Sequence, residues 1–200
     1  MAEKDFLKKY RQKRDFDLSS EPFGGEKGKE NKDQQIFVIQ KHEATHLHFD
    51  FRLLIDGVLK SWAVPKGPST DPKIKRLAIR TEDHPVEYAD FEGVIPQGQY
   101  GGGTVMVWDS GTFKTDSENK KDLLEQLEKG KLSFYLEGHK LKGGFSLIKM
   151  KNDQKNEQWL LFKTDDEHAD AKKNPAKTLN KSVLSGRTME EIEKEENHGN

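Results

Sequence analysis

The chain has 200 residues, which is enough for one ordinary domain and too few for two independent cores. Charged residues make up 34% of it and hydrophobic residues 32%, which predicts a folded centre with polar extensions, and the net charge of −1 excludes a polycation. Because cysteine is absent, disulfides and thiolate metal sites are excluded, and any metal would need nitrogen and oxygen ligands.

Residues 1–35 form a polar N-terminal segment that is interrupted by glycines. A short helix is predicted around Phe6 to Arg11. The segment lacks the apolar stretch of a secretory signal, and no window of the chain approaches the roughly 18 apolar residues that cross a membrane. We therefore expect a cytoplasmic protein that does not contact membranes.

The run "HLHFDFRL" alternates polar and apolar residues, as a β-strand with one buried face does. The polar residues on one face are His46, His48, Asp50 and Arg52. Imidazoles and a carboxylate at this spacing can bind one divalent cation, and His42 lies just upstream as a further ligand. Arg52 would suit phosphate beside such a cation, because its planar guanidinium binds two oxygens. A solvated row of surface histidines is the alternative.

From Ile36 to Lys163, short apolar or alternating runs are separated by turn signals. This pattern predicts a mainly β fold, either a predominantly antiparallel sheet or a small barrel. Asp56-Gly57 predicts a type I′ hairpin turn. One helix is predicted within "DSENKKDLLEQLEKGK". The glycine run in "GVIPQGQYGGGTVMVWD" predicts a hairpin rather than a phosphate loop, because it leads into a strand and not a helix.

Positive charge is concentrated downstream of the histidines, at Lys66, Lys73, Lys75 and Arg76. Such clustering next to a metal favours a polyanion such as a nucleic-acid end, with a solvated basic loop as the alternative.

Residues 164–200 form a charged tail that we expect to be flexible. Within the tail, Thr188 and Glu191 have the spacing of a capping box and predict a short helix.

Several long motifs resemble the 3′-phosphoesterase domain of bacterial DNA ligase D and its stand-alone relatives. They are "QKHEATHLHFDFRLLIDGVLKSWAVPKGPS", "EDHPVEYADFEGVIPQGQYGGGTVMVWDSGTF" and "GHKLKGGFSLIKM". The resemblance implies a small antiparallel β-barrel over residues 36–163 with a few peripheral helices and flexible termini, and a polar segment 1–35 that contributes to the site. The implied activity is a metal-dependent phosphoesterase that removes 3′-terminal ribonucleotides and 3′-phosphates, leaving a 3′-hydroxyl for repair synthesis and end joining.

The resemblance also assigns roles to residues. The implied metal ligands are His42, His48 and Asp50, with manganese as the usual metal and zinc, cobalt or copper as substitutes. The implied phosphate-contacting residues are Arg52, His84 and Tyr88. Further polar positions of catalytic importance are Arg14, Asp15, Glu21 and Gln40. The basic candidates near the nucleic acid are Lys66 and Arg76. Two positions depart from the family pattern without removing a ligand, His46 in place of a basic residue and Phe49 in place of a tyrosine.

The implied partners are DNA 3′ ends or DNA tipped with RNA, and the candidate protein partners are a ligase, a polymerase and a Ku-type end-binding protein. We expect a monomer associated with the nucleoid. The nucleophile is left open between water and a neighbouring 2′-hydroxyl, and the general base between Asp15, Glu21 and a hydroxide held by the metal. One alternative function is a non-catalytic module that binds nucleic-acid ends. The other is a different His/Asp metallohydrolase, although Phe51 stands where the H-x-H-x-D-H motif has its last histidine.

Overall fold

A computed structural model of the chain describes residues 5–25, 35–115, 120–151 and 156–198. Within these ranges the strands are β1 (Ile36–Glu43), β2 (Leu47–Ile55), β3 (Val58–Val64), β4 (Arg76–Arg80), β5 (Gly93–Ile95), β6 (Gly103–Lys114), β7 (Lys131–Gly138), β8 (Lys142–Lys149) and β9 (Gln158–Lys163). The helices are α1 (Lys8–Gln12), α2 (Lys120–Glu128), α3 (Pro175–Thr178), α4 (Met189–His198) and a 3₁₀ helix (Val86–Asp90). None of the helices described here has the length and apolar composition needed to cross a membrane.

Eight of these strands form a closed antiparallel barrel. The order around the ring is β1-β2-β3-β4-β9-β8-β7-β6, and β6 pairs with β1 to close it. The short strand β5 pairs with the first residues of β6 outside the ring. Every strand of the ring contributes alternate apolar side chains to one buried cluster, which is therefore the barrel interior. The mainly β barrel with few peripheral helices is confirmed.

Two turns follow the conformations that their sequences predict. Asp56 and Gly57 both have positive φ, 54° and 75°, as a type I′ turn between β2 and β3 requires. The predicted glycine-rich hairpin connects β5 to β6. Gly103 begins β6 at φ 141°, and a Cβ there would lie 2.1 Å from the carbonyl oxygen of Glu43. Only glycine therefore allows β6 to start so close to the end of β1.

One β-bulge breaks the pairing between β1 and β6. Ile39 pairs with Asp109 and Gln40 pairs with Val107, so Trp108 is an extra residue on β6. The bulge changes the alternation of β6, because Trp108 and Phe113 both pack in the barrel interior although they are five residues apart.

A second apolar cluster covers part of the outer face of the barrel. It brings together Val38 of β1, Leu59 of β3 and Val107 of β6 with Tyr10 of α1 and Tyr88 of the 3₁₀ helix. The N-terminal segment and the segment that follows β4 therefore lie across the outside of β1, β2 and β3. Polar side chains of these strands that point outward are enclosed beneath this layer.

Several residues of the charged tail pack against the barrel. Met189 and Ile192 of α4 are buried with the barrel core. The carbonyl of Leu179 accepts a hydrogen bond of 2.6 Å from the Trp108 indole. A few apolar anchors thus fix a segment whose average composition is polar. The capping box is confirmed: the Thr188 N–H donates to Glu191 and the Glu191 N–H donates back to the Thr188 hydroxyl.

Candidate functional site

Cross-strand pairing brings together the three predicted metal ligands. His42 of β1 lies directly opposite His48 of β2, and Asp50 follows two residues later on the same face of β2. The nearest ring nitrogens of the two histidines lie 3.5 and 3.7 Å from the Asp50 carboxylate oxygens. One potential ligand atom from each residue lies within 4.8 Å of the other two. His42 therefore joins the group from the neighbouring strand rather than from an upstream turn.

Two backbone carbonyls determine which imidazole nitrogens face the carboxylate. His42 Nε2 lies 2.7 Å from the carbonyl oxygen of Gly101, and His48 Nδ1 lies 2.8 Å from that of His46. Since a carbonyl only accepts, each of these nitrogens carries a proton, and His42 Nδ1 and His48 Nε2 are the ring nitrogens that face Asp50. Metal-binding histidines are typically oriented in this way. The His46 side chain itself is exposed in the β1–β2 turn.

The carboxylate of Asp50 is held in its ionised form. Burial opposes ionisation, but the Arg52 guanidinium, together with His42 and His48, outweighs it and keeps the Asp50 pKa well below its usual range. Arg52 Nη2 lies 3.1 Å from Asp50 Oδ2. Two imidazoles and one carboxylate can together bind a divalent cation such as manganese or zinc.

Arg52 connects this cluster to a second group of residues. Its guanidinium is buried, and Nε donates to Gln40 Oε1 at 2.8 Å while Nη1 donates to Ser61 Oγ at 2.9 Å. The same Nη1 lies 2.8 Å from His84 Nδ1. Arg52 therefore contacts both the Asp50 carboxylate and His84.

His84 lies between two arginines. Arg14 Nη2 lies 3.2 Å from His84 Nε2, on the side of the ring opposite Arg52. Burial lowers the His84 pKa well below its ordinary value, and the charges of Arg52 and Arg14 lower it further. The imidazole is therefore neutral, and two guanidinium groups converge beside it. Such a pair of planar cations next to a possible cation site is suited to a phosphate.

Tyr88 and Glu21 belong to the support of this group. The buried Tyr88 hydroxyl donates to Glu21 Oε1 at 2.9 Å, and Arg14 Nε donates to the same oxygen at 2.8 Å. Ser19 Oγ donates to the other carboxylate oxygen at 3.0 Å. Burial and the Glu21 charge raise the Tyr88 pKa well above its ordinary value, so the hydroxyl keeps its proton. In this structure the hydroxyl is directed to Glu21 and not outward to a ligand.

Gln40 is fully buried and joins the two strands to the 3₁₀ helix. Its amide nitrogen donates to the carbonyls of Tyr88 and Phe91 at 2.9 and 2.8 Å, while its oxygen accepts from Arg52. Gln40 thereby fixes the orientation of Arg52.

Three predicted residues lie apart from this network. Asp15 is exposed, and its carboxylate accepts the Asp17 N–H at 3.1 Å. Lys66 is exposed in the turn after β3. Arg76 begins β4 opposite Leu161, on the side that faces the interior, and its Nε has no hydrogen-bond partner within the part of the chain that is described.

Sequence reasoning missed Glu82 and Ser61. Glu82 accepts from Lys13 at 2.9 Å and from Arg14 at 3.1 Å, and its place two residues before His84 was the available signal. Ser61 pairs with Arg52 across the β2–β3 hairpin. The register that follows from an Asp56-Gly57 turn would have placed Ser61 there.

Residues 40–149, more than half of the chain, match the family model described as the DNA Ligase D 3′-phosphoesterase domain. The chain belongs to the DNA ligase D 3′-phosphoesterase family. The match begins at Gln40, so it includes His42, His48, Asp50, Arg52, His84 and Tyr88, whereas Arg14 and Glu21 precede it. The family resemblance inferred from the sequence is therefore confirmed.

Two relatives match this chain over more residues than the family model does. The "Multifunctional non-homologous end joining protein LigD" of Pseudomonas aeruginosa is 48% identical over 185 residues, 92% of this chain and 22% of the relative. The "Multifunctional non-homologous end joining DNA repair protein LigD" of Mycobacterium tuberculosis is 42% identical over 159 residues, 80% of this chain and 20% of the relative. The chain thus spans about a fifth of the length of these relatives.

Proposed function

We propose that the protein is a metal-dependent phosphoesterase that acts on nucleic-acid 3′ ends, removing 3′-terminal ribonucleotides and 3′-phosphates to leave a 3′-hydroxyl. The observation that carries this proposal is the direct contact of Arg52 with both Asp50 and His84, which joins a cation site to an anion site. Membership of the 3′-phosphoesterase family supports the same reaction class.

The residues of the site divide into those that touch the substrate and those that orient them. A divalent cation held by His42, His48 and Asp50 would supply Lewis-acid polarisation of a phosphate oxygen, with manganese as first candidate and zinc, cobalt or copper as substitutes. Arg52 and His84 bind the remaining oxygens and fix the phosphorus for in-line attack.

Glu21 and Tyr88 act by positioning Arg14. Glu21 accepts hydrogen bonds from Arg14, Tyr88 and Ser19. A carboxylate with three donors is a poor general base, because abstracting a proton would break this network. Asp15 faces solvent, so we do not assign the base to it either. The candidate nucleophiles are water and a 2′-hydroxyl next to the scissile phosphate, and substrates with a 2′-deoxy sugar at that position distinguish them.

The phosphate backbone of the nucleic acid would extend over basic residues that lie outside the hydrogen-bond network of Arg52, His84 and Arg14. We assign Lys66 to its phosphates, whereas Arg76, which lies on the interior side of β4, is not assigned to them. The names of the relatives refer to non-homologous end joining and DNA repair. We therefore propose DNA ends, or DNA tipped with RNA, as substrates in the cytoplasm at the nucleoid. A monomer would hand the healed end to a polymerase and a ligase, next to a Ku-type end-binding protein.

Turnover of a 3′-phosphorylated primer with manganese tests the proposal. We expect His42→Ala, His48→Ala and Asp50→Ala to abolish conversion to the 3′-hydroxyl and to weaken manganese binding measured by calorimetry. His139→Ala, at an exposed histidine outside the site, is the matched control. Undiminished turnover in all three variants would exclude the assignment, and end binding that is unchanged by chelator without any turnover would indicate a non-catalytic binding module.

A further inference from the structure

An exposed aromatic residue lies at the rim of the site. Tyr100 is 48% exposed and belongs to the connection between β5 and β6, residues 96–102. A tyrosine ring offers a flat apolar face that a nucleobase can stack on, and such stacking does not depend on base identity.

The position of Tyr100 relates it to both halves of the site. The carbonyl of the next residue, Gly101, accepts from the metal-cluster histidine His42 at 2.7 Å. On the other side, the guanidinium carbon of Arg14 lies 5.5 Å from the centroid of the Tyr100 ring. The same guanidinium lies 3.2 Å from His84. The backbone next to Tyr100 therefore contacts His42, and the Tyr100 ring lies beside Arg14, which itself contacts His84.

Lys13 orients the ring while leaving it accessible. The ammonium of Lys13 donates to the Tyr100 hydroxyl at 3.0 Å and lies 4.4 Å from the ring centroid. Glu82 fixes Lys13 in turn, with an ion pair of 2.9 Å. An exposed ring that is held by a second residue loses little conformational freedom when a ligand stacks on it, which favours binding.

We propose that Tyr100 stacks on the base of the nucleotide whose 3′-oxygen carries the scissile phosphate. This inference rests on the proposed function, and it adds a nucleobase to the phosphate as a part of the substrate that the site recognises. A 3′-phosphate end and a 3′-ribonucleotide end share only the nucleoside on the 5′ side of that phosphate. A stacking residue that serves both kinds of end must therefore bind this nucleoside.

Substrates with and without this base test the proposal. The pair consists of two 3′-phosphorylated primers that differ only in an adenine or an abasic site at the terminal nucleotide. We expect the wild-type protein to prefer the adenine primer by roughly 5- to 100-fold in kcat/KM, the range of single stacking contacts. Tyr100→Leu abolishes this preference by slowing only the adenine primer, and Tyr100→Phe retains it because the ring remains.

A matched control and a binding measurement complete the experiment. Tyr135→Leu, at another exposed tyrosine on β7, should retain the preference for the base. A fluorescent 2-aminopurine at the terminal nucleotide should be quenched on binding to the wild type and to Tyr100→Phe, and not on binding to Tyr100→Leu.

Each outcome decides between the hypotheses. An equal loss on both primers in Tyr100→Leu, or a loss in Tyr100→Phe as large as in Tyr100→Leu, would overturn stacking and assign Tyr100 to the orientation of Lys13. A preference that depends on the base of the removed ribonucleotide instead would also overturn it. If the wild type cleaves neither primer, the proposed function fails, and the 2-aminopurine signal alone still decides whether Tyr100 stacks on the end.

Discussion

Removal of one hydroxyl group tests whether Tyr88 supports the site or contacts the substrate. Tyr88→Phe keeps the ring and deletes only the donor that lies 2.9 Å from Glu21. A hydrogen bond to a charged group contributes about 1.5–3 kcal/mol, but Glu21 retains its bonds from Arg14 and Ser19. We therefore expect a loss of about 1–2 kcal/mol in the free energy of unfolding, measured by urea denaturation.

A double-mutant cycle of Tyr88→Phe with Glu21→Gln tests the same role of the hydroxyl in turnover. Glutamine keeps the shape of the side chain but makes the bond to Tyr88 a neutral one. If the Tyr88 hydroxyl acts only through Glu21, the double variant should lose less activation free energy, calculated from kcat/KM, than the two single variants lose in sum. The expected shortfall is about 1 kcal/mol, which is the difference between a charged and a neutral hydrogen bond. Effects on turnover that add within about 0.3 kcal/mol would refute this reasoning and assign the hydroxyl to the phosphate. Tyr135→Phe, at an exposed ring, is the control.

Three further substitutions test other parts of the site and its scaffold. His46→Ala should change turnover and manganese affinity by less than about twofold, because only the backbone carbonyl of His46 contacts His48. A loss of about tenfold in manganese affinity would instead show that the His46 imidazole is a ligand. Gly103→Ala should cost at least about 2 kcal/mol in urea denaturation, because its Cβ would meet the Glu43 carbonyl, whereas Gly98→Ala has open space and should cost about 1 kcal/mol. The Glu82 pKa lies below its ordinary value of 4.5, since Lys13 and Arg14 outweigh the opposing effect of burial. The stabilisation by Glu82 is therefore complete above pH 4.5 and is lost as the pH falls through the folded-state pKa. Glu82→Gln should reduce the dependence of the unfolding free energy on pH between pH 5 and pH 3. An unchanged dependence on pH would contradict this prediction.

Local periodicity was sufficient to predict which polar side chains of β2 share a face. Alternation along one strand placed His48, Asp50 and Arg52 on a common face, and the structure shows the same face. Alternation could not tell whether this face is inside or outside the barrel, because that depends on which set of side chains fills the closed ring. Nor could it place His42 opposite His48, since cross-strand register depends on the turn between β1 and β2.

Contacts between distant segments were beyond the reach of sequence patterns. Tyr88 and Glu21 are 67 residues apart in the chain, and only the fold shows that the hydroxyl of one serves the carboxylate of the other. The bulge at Trp108 has no local signature in its residue types. Average composition also does not register the few tail side chains, such as Ile192, that bury completely.

The barrel separates two requirements that many enzymes must satisfy with the same side chains. In β1 and β2, residues such as Ile39 and Phe51 fill the interior, while their neighbours Gln40 and Arg52 serve the outer face. Substitutions that repack the interior can therefore preserve the outward polar network, provided that the register of β1 and β2 is kept.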